Sequence, residues 1–322
     1  MTDALWVGSF DELMSVVTEF YYRAVAMFEE EAVLEHRAHR VPGALPDFDE
    51  GAIRMEAREW AEANFVDVLG LFQMFADSPD PDRFTPVIEN LAAAQAELAV
   101  TAGEPDPLTG RLFRAQTEFA KITTAAGFLD DWSGAAARDF KANFLDPFPA
   151  RVSNQYMLAS VLTAAVQAEQ AIRKAVRRDA RIIAAKALAA LAHVGDLSQT
   201  EWTVTFTVIA SIAAIGAAPL SGGASIALTA VGAAASVAAA VPVDDGTEVA
   251  FAARHVKGVV DQVRLGVKDL VASIEQAEQL IAERLAANVP VVQAHWQQFV
   301  AARPDLNNTD ATNVKSNFGF AH

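Results

Sequence analysis

The chain has 322 residues, of which 41 are acidic and 25 basic, and its formal net charge is -16. This balance argues against a nucleic-acid partner, because phosphate binding needs an extended basic face. Apolar residues make up 52% of the chain and cysteine is absent, which allows a sizeable core and excludes disulfides, thiolate catalysis and cysteine-based zinc sites. Alanine dominates the apolar residues, and glycine and proline concentrate at a few points, a composition typical of an all-α protein.

Helical periodicity defines the first part of the chain. Apolar residues three and four positions apart predict one helix over about 10–36 and a second over about 52–75. The proline and aspartate cluster at 77–82 ends the second helix. A third helix should begin near Pro86, which suits a first-turn position, and a fourth should cover about 111–129.

Catalytic and metal-binding patterns are absent from the sequence. His36 and His39 stand beside Glu35, but their order is not that of a known zinc motif and no third ligand is evident. No glycine-rich phosphate loop or nucleophile elbow follows a strand pattern. We therefore expect no enzyme activity and no cofactor.

A short motif lies at the junction of two helical patterns. Trp132, Ser133 and Gly134 form a Trp-x-Gly tripeptide, and Phe140 follows the tryptophan by eight residues. Glycine permits a tight turn, and tryptophan can plug the open end of a helical hairpin. The segment resembles the signature of the tryptophan-x-glycine family of type VII secretion substrates, in which Trp and Gly occupy the bend between two helices. The resemblance covers about residues 83–195.

The resemblance implies an exported bacterial protein that is cytoplasmic before export and then secreted or held at the cell envelope. The first residues lack the basic and apolar regions of a classical signal peptide. Substrates of this system commonly carry a tyrosine followed four residues later by an acidic residue. Here Tyr21, Tyr22 and Tyr156 lack that acidic residue. Export with a small partner protein that bears the signal, or no export, are the two alternatives.

Long helices are predicted for the second half of the chain. One runs over about 151–194, and a return helix carries apolar residues at Val260, Val263, Val267, Leu270, Ile274, Ala277, Ile281 and Leu285. Together they predict an elongated helical bundle with long antiparallel helices. The predicted segments are an N-terminal hairpin (1–81), the Trp-x-Gly hairpin with its stalk helix (82–201), an apolar hairpin (202–243), the return stalk helix (244–305) and a flexible tail (306–322).

The apolar hairpin is the most distinctive segment. Residues 203–241 contain no charged residue and no histidine, and two helices over 203–218 and 224–241 should meet at a turn with Pro219 and two glycines. By architecture alone it is similar to the apolar hairpins of α-helical pore-forming toxins. The predicted membrane or partner contacts are Phe206, Ile209, Ile212, Ile215, Ile226, Leu228 and Val231. The cover is either membrane lipid, or protein from a partner, a homo-oligomer or the chain's own N-terminal helices.

A basic band on the long helix includes Arg173, Arg177 and Arg181. It could contact anionic lipid headgroups, or it could pair with acidic residues such as Glu29, Glu30, Glu31, Asp261 and Asp269. Two functions remain open. One is a membrane-active, type VII secretion-associated protein, and the other is a soluble secretion-associated scaffold or chaperone-like partner.

Overall fold

The computed structural model confirms the predicted all-α fold in its main feature, since long helices dominate the chain. It describes residues 10–39, 49–75, 78–100, 106, 108–128, 135–194, 200–208, 211–219, 227–233 and 247–300. The helices are α1 (Phe10–Ala38), α2 (Glu50–Phe65), α3 (Asp67–Gln73), α4 (Thr85–Leu98), α5 (Thr117–Phe128), α6 (Ala135–Phe140), α7 (Phe148–Leu191) and α8 (Val256–Ala294). The strands are β1 (Thr200–Phe206), β2 (Ile212–Pro219), β3 (Ala227–Ala233) and β4 (Thr247–Ala253).

The helix starts follow local chemistry. Asp49 caps α2, where its carboxylate accepts a hydrogen bond from the backbone N–H of Ala52 at 3.1 Å. Pro86 lies in the first turn of α4, as predicted. A π-helical turn, Lys141–Leu145, and Pro147 precede α7, and short 3₁₀ turns cover Pro81–Phe84 and Trp296–Gln298.

The described chain divides into two compact units. The first consists of Met1–Pro81, Ala171–Ser211 and Val243–Glu278. In it, α1 packs along α2 through buried apolar residues, and the rings of Phe28 and Trp60 stack with centroids 4.9 Å apart. Helices α1 and α2 therefore pack as a helical hairpin in this unit.

The ends of the two long helices meet in this first unit. β1 and β4 pair antiparallel, from Thr200 opposite Ala253 to Phe206 opposite Thr247. The pair therefore holds the C-terminal end of α7 and the start of α8 side by side. Farther along both helices, Arg173 forms an ion pair with Glu278. Within this unit α7 and α8 are therefore antiparallel, and the predicted seam residues Val260, Val263, Val267 and Leu270 are buried.

The second unit consists of Asp82–Gln170, Ile212–Pro242 and Gln279–His322. Its sheet is the antiparallel pair β2–β3, with Ile212 opposite Ala233 and Pro219 opposite Ala227, and a bulge between Ile215 and Ala217. We call this pair the apolar ribbon. The pair β1–β4, which lies in the first unit, is called the base ribbon.

The predicted helices of the apolar hairpin are wrong for the residues that the structure describes. Of these, 203–206, 212–219 and 227–233 lie in strands, and Thr207, Val208 and Ser211 lie in the short connection between β1 and β2. The signal for β1 was present in the sequence: Val204 and Phe206 are buried while Thr203 and Thr205 are exposed, the period-two pattern of a half-buried strand rich in β-branched residues. In the apolar ribbon the composition is largely alanine, so cross-strand pairing overrides an intrinsic preference for helix.

Candidate functional site: the apolar ribbon and its connection

The predicted contact residues fall on three strands. Phe206 lies on β1, Ile212 and Ile215 on β2, and Leu228 and Val231 on β3. Ile209 and Ile226 lie outside the described residues. Phe206 is 2% exposed and Leu228 is 0% exposed, so these two apolar side chains are covered by protein.

Leu228 belongs to a buried cluster in the second unit. The other buried members are Leu108, Met157, Val161, Ala164 and Phe299. The half-buried side chains of Tyr156, Leu158, Leu285, Val291 and Val292 pack around them. The cover of Leu228 therefore comes from α7, the α8 end and the segments that contain Leu108 and Phe299. Lipid, a protein partner or oligomer, and the N-terminal helices were the covers expected from the sequence, and the residues packed around Leu228 belong to none of these.

A buried polar network fixes one wall of this cluster. Asp106 is 3% exposed, and its carboxylate accepts hydrogen bonds from the Ser160 hydroxyl at 2.7 Å, the Thr109 hydroxyl at 2.8 Å and the Gln95 amide at 3.3 Å. Burial, followed by the charge of Asp106 and a hydrogen bond to it, raises the pKa of Tyr156. Because the carboxylate is well supplied with donors, its burial is compatible with a stable fold.

The same network shapes the turn that carries Leu108. Asp106 accepts the backbone N–H groups of Leu108 at 3.0 Å and Thr109 at 2.6 Å. Gly110 closes the turn with a φ of 68° and donates its N–H to the Asp106 carbonyl at 2.8 Å. A side chain at position 110 would strain this left-handed conformation. The turn therefore places the side chain of Leu108 in the cluster that contains Leu228.

Three side-chain donors on α7 bind three consecutive backbone carbonyls after α8, next to the same cluster. The side chains of Arg151, Asn154 and Gln155 donate hydrogen bonds to the backbone carbonyls of Gln297, Gln298 and Phe299, respectively. The Arg151 and Asn154 contacts measure 2.9 and 3.0 Å. These bonds hold the segment that follows α8 against α7, and they place Phe299 in the buried cluster.

The connection between the base ribbon and the apolar ribbon begins at Thr207, which is bound to α7 in the first unit. Asp179 of α7 is 0% exposed. Its carboxylate accepts the backbone N–H of Thr207 at 2.6 Å and the Thr207 hydroxyl at 2.9 Å. Burial raises the pKa of Asp179, and the two Thr207 hydrogen bonds and the charge of Arg178 oppose that rise. Thr207 then accepts the N–H of Ser211 at 2.8 Å in a short turn.

The start of α8 is held by α1. One carboxylate oxygen of Glu31 accepts the backbone N–H of Val256 at 3.0 Å, and the other contacts His255. Because the first N–H groups of a helix lack intrahelical partners, an acidic side chain from a neighbouring helix stabilises this end.

The basic band on α7 is engaged by acidic side chains. Arg173 pairs with Glu278, and Arg177 lies 3.5 Å from Asp80. Arg181 is half-buried on the same helix. Two of the acidic partners named from the sequence pair elsewhere: Glu29 lies 3.7 Å from Arg58, and Asp261 lies 2.6 Å from Arg264. The band is thus at least partly salt-bridged within the first unit.

The motif junction is described in part. Trp132 and Gly134 lie outside the described residues. Phe140 ends α6 and stacks on Phe144 with ring centroids 5.3 Å apart, and Phe144 approaches Phe148 at 6.0 Å. The sequence analysis missed this aromatic row, whose signal is a phenylalanine at every fourth position from 140 to 148.

Among the described residues, no group of three or more potential metal ligands comes together. The Nδ1 atoms of His36 and His39 each lie 2.9 Å from a backbone carbonyl oxygen of their own helix segment. Within the described ranges, no helix is both long enough and apolar enough to cross a membrane. Comparison with known proteins found no matching family model, curated protein or solved structure.

Proposed function

We propose that this protein is a type VII secretion-associated exported helical protein that acts on membranes by inserting its apolar segment. The observation that carries the membrane part is residues 203–241, which contain no charged residue and no histidine. A charged residue at the centre of a bilayer carries a large free-energy cost. This stretch has no charged residue, so its insertion avoids that cost.

The geometry at the base of this segment supports insertion from one side. β1 and β4 pair antiparallel, so the chain leaves toward the apolar ribbon and returns from it at neighbouring positions. A segment held in this way can enter a membrane and return to the same side without threading the rest of the chain across it. The acidic residues Asp244 and Asp245 follow the uncharged stretch and remain in water in this arrangement.

Insertion requires a change from this structure. Leu228 is fully buried in its cluster, so the apolar ribbon must leave that cluster before its side chains reach lipid. The present structure is then the stored state, in which protein covers the apolar segment until a membrane replaces that cover.

The connection to type VII secretion rests on the resemblance of the Trp132 and Gly134 junction to the family signature. Phe140 follows at the family spacing and packs against Phe144. The missing acidic residue after each tyrosine favours export together with a partner that supplies the signal. Export and membrane activity are therefore independent parts of the proposal.

The burial of Leu228 also favours a second candidate. A secretion-associated scaffold or chaperone-like protein would keep its apolar ribbon permanently covered, as a core element that never leaves α7. In this case the uncharged composition reflects burial on both faces of a short ribbon.

One labelling experiment separates the two candidates. The chain has no cysteine, so Ala230→Cys on β3 and Ser15→Cys on the exposed side of α1 each accept a single environment-sensitive fluorophore. With vesicles of phosphatidylglycerol and phosphatidylcholine, at neutral and mildly acidic pH, the label at 230 should shift to the blue and resist an aqueous quencher. The label at 15 should do neither.

The opposite result removes the membrane proposal. If the emission and quencher accessibility of the label at 230 are the same with and without vesicles at both pH values, while far-UV circular dichroism remains native, the apolar ribbon does not enter lipid. The scaffold candidate then stands alone.

A further inference from the structure

Thr207 occupies a special place along the chain. It directly follows β1, and β2 begins at Ile212, so only four residues separate it from the apolar ribbon. The boundary between the first and second units falls after Ser211. Thr207 is therefore close to the last point at which the first unit holds the chain before the apolar ribbon begins.

Asp179 binds both the backbone and the side chain of Thr207. The two oxygens of the Asp179 carboxylate accept its backbone N–H and its hydroxyl separately. Its neighbours Phe206 and Val208 are 2% and 0% exposed. Hydrogen bonds to a buried carboxylate are stronger than neutral ones, and breaking them leaves a buried charge without its donors.

We propose that the Asp179–Thr207 pair is a latch that fixes the connection to the apolar ribbon on α7 and sets how readily that ribbon leaves its buried cluster. The proposal rests on the proposed function for its biological purpose, but its physical content is independent of lipid. For the apolar ribbon to leave its cluster, the connection between Thr207 and Ile212 must change its direction. The latch opposes this change because it holds Thr207, the first residue after β1. An open latch lowers the free-energy cost of local opening, which is a property of the protein in water.

The test uses matched threonine variants. Thr207→Val removes the hydroxyl at nearly constant shape, and Thr205→Val makes the same change at an exposed position of β1. Thr207→Ser restores a hydroxyl. Hydrogen–deuterium exchange of the full chain without lipid is followed in 212–219 and 227–233, with the amides of α1 and α2 as an internal reference.

We expect Thr207→Val to speed exchange in the apolar ribbon about tenfold or more, since a hydrogen bond to a charged group is lost. Thr205→Val and Thr207→Ser should stay within about twofold of the unmodified chain, the range of a neutral surface change. Equal exchange in Thr207→Val and Thr205→Val overturns the latch, and so does an equal rise in α1 and α2, because the effect would then be global.

A second variant covers the case in which Thr207→Val loses its fold. Asp179→Asn keeps the size of the side chain and replaces its charged acceptors with neutral groups, so it should also speed exchange in the apolar ribbon. Unchanged exchange there overturns the latch.

The exchange experiment tests the latch, and the vesicle experiment with the label at position 230 tests the membrane function. A latch variant that exchanges faster in the ribbon and whose label at 230 enters vesicles faster supports both proposals. Faster exchange with a label that never enters vesicles supports the latch and contradicts the proposed membrane function.

Discussion

Replacement of Leu228 by alanine tests whether protein covers the apolar ribbon. The side chain is 0% exposed and lies among Leu108, Met157, Val161 and Phe299. The substitution removes three carbons, which at about 0.8 kcal/mol each gives about 2.4 kcal/mol of lost transfer free energy. A cavity adds to this, because the helices α7 and α8 relax only partly, so the free energy of unfolding should fall by about 3 to 5 kcal/mol.

The assay is urea unfolding followed by far-UV circular dichroism, with Leu112→Ala as the matched control. Leu112 lies in the same unit but is 70% exposed, so its replacement should change the free energy of unfolding by less than about 0.5 kcal/mol. If Leu228→Ala behaves like Leu112→Ala, protein does not cover Leu228 and the stored state is refuted. If the proposed function holds, Leu228→Ala should also bind vesicles at a lower lipid concentration, because less packing is lost on departure.

Three further predictions concern buried and motif residues. Asp106→Ala should lower the free energy of unfolding by about 1 to 3 kcal/mol, because it leaves the donors of Ser160 and the 108–109 backbone unpaired; an unchanged urea midpoint would contradict the network. The raised pKa of Asp179 means that the folded chain binds its proton more tightly than the unfolded chain, so this group's contribution to stability falls as pH rises through the ordinary aspartate range. The stability of Asp179→Asn relative to the unmodified chain should therefore be higher at about pH 7 than at about pH 4, although the weakened Thr207 hydrogen bonds lower it at both pH values; an equal difference at both would argue against the raised pKa. Trp132→Ala should cost about 3 to 5 kcal/mol if the indole is buried at the bend, and an unchanged melting temperature would remove that interpretation of the motif.

The long helices were predictable because their burial repeats along the sequence. Val260, Val263, Val267 and Leu270 follow a three-and-four spacing, and all four are buried. A helix that buries one face over many turns has apolar residues at a regular three-and-four spacing, whichever partner covers that face. The helix predicted over about 151–194 agrees with α7 to within a few residues at each end, whereas the return stalk helix predicted over 244–305 is helical as α8 only from Val256 to Ala294.

The apolar ribbon was not predictable in the same way. Its residues are largely alanine and glycine, whose burial leaves little periodicity, and an uncharged stretch fits a buried helix or a buried strand equally well. Threonine alternates with an apolar residue from Thr203 to Val208, which is a pattern typical of a strand. The absence of charged residues over 203–241 led instead to the prediction of apolar helices. The buried cluster that contains Leu228 and Val161 joins residues far apart in sequence, and no local pattern encodes such a cluster.

The polar residues of the site escaped prediction for a different reason. Asp106 and Asp179 are two of 41 acidic residues, and their environment is set by burial rather than by neighbours in sequence. Asp106, Thr109 and Gly110 fall between the predicted third and fourth helices, where the sequence indicates no role for them. Its role in presenting Leu108 depends on Ser160 and Gln95, which reach it from two separate helices.

The apolar segment must change its secondary structure if it crosses a bilayer. A two-stranded ribbon has two open edges, and unpaired backbone N–H and C=O groups are not tolerated in hydrocarbon. Helices over 203–218 and 224–241 satisfy those groups internally, and alanine is the best helix former. The first of these helices would take residues 203–206 out of the base ribbon and Thr207 away from Asp179, which leaves the β1–β4 pairs from Thr200 to Trp202 to hold the base. They would measure roughly 24 and 27 Å against a hydrocarbon core of about 30 Å.

We therefore expect vesicle binding to increase the helical signal in far-UV circular dichroism, with the same time course as the blue shift of a label at position 230. The reason is that strand-to-helix conversion and entry into lipid are one event when the ribbon cannot enter as a ribbon. Thr207→Val should accelerate both signals together. If the label enters lipid while the helical signal stays constant, the segment inserts as strands that pair edge to edge with other copies, and crosslinking between copies would then depend on lipid.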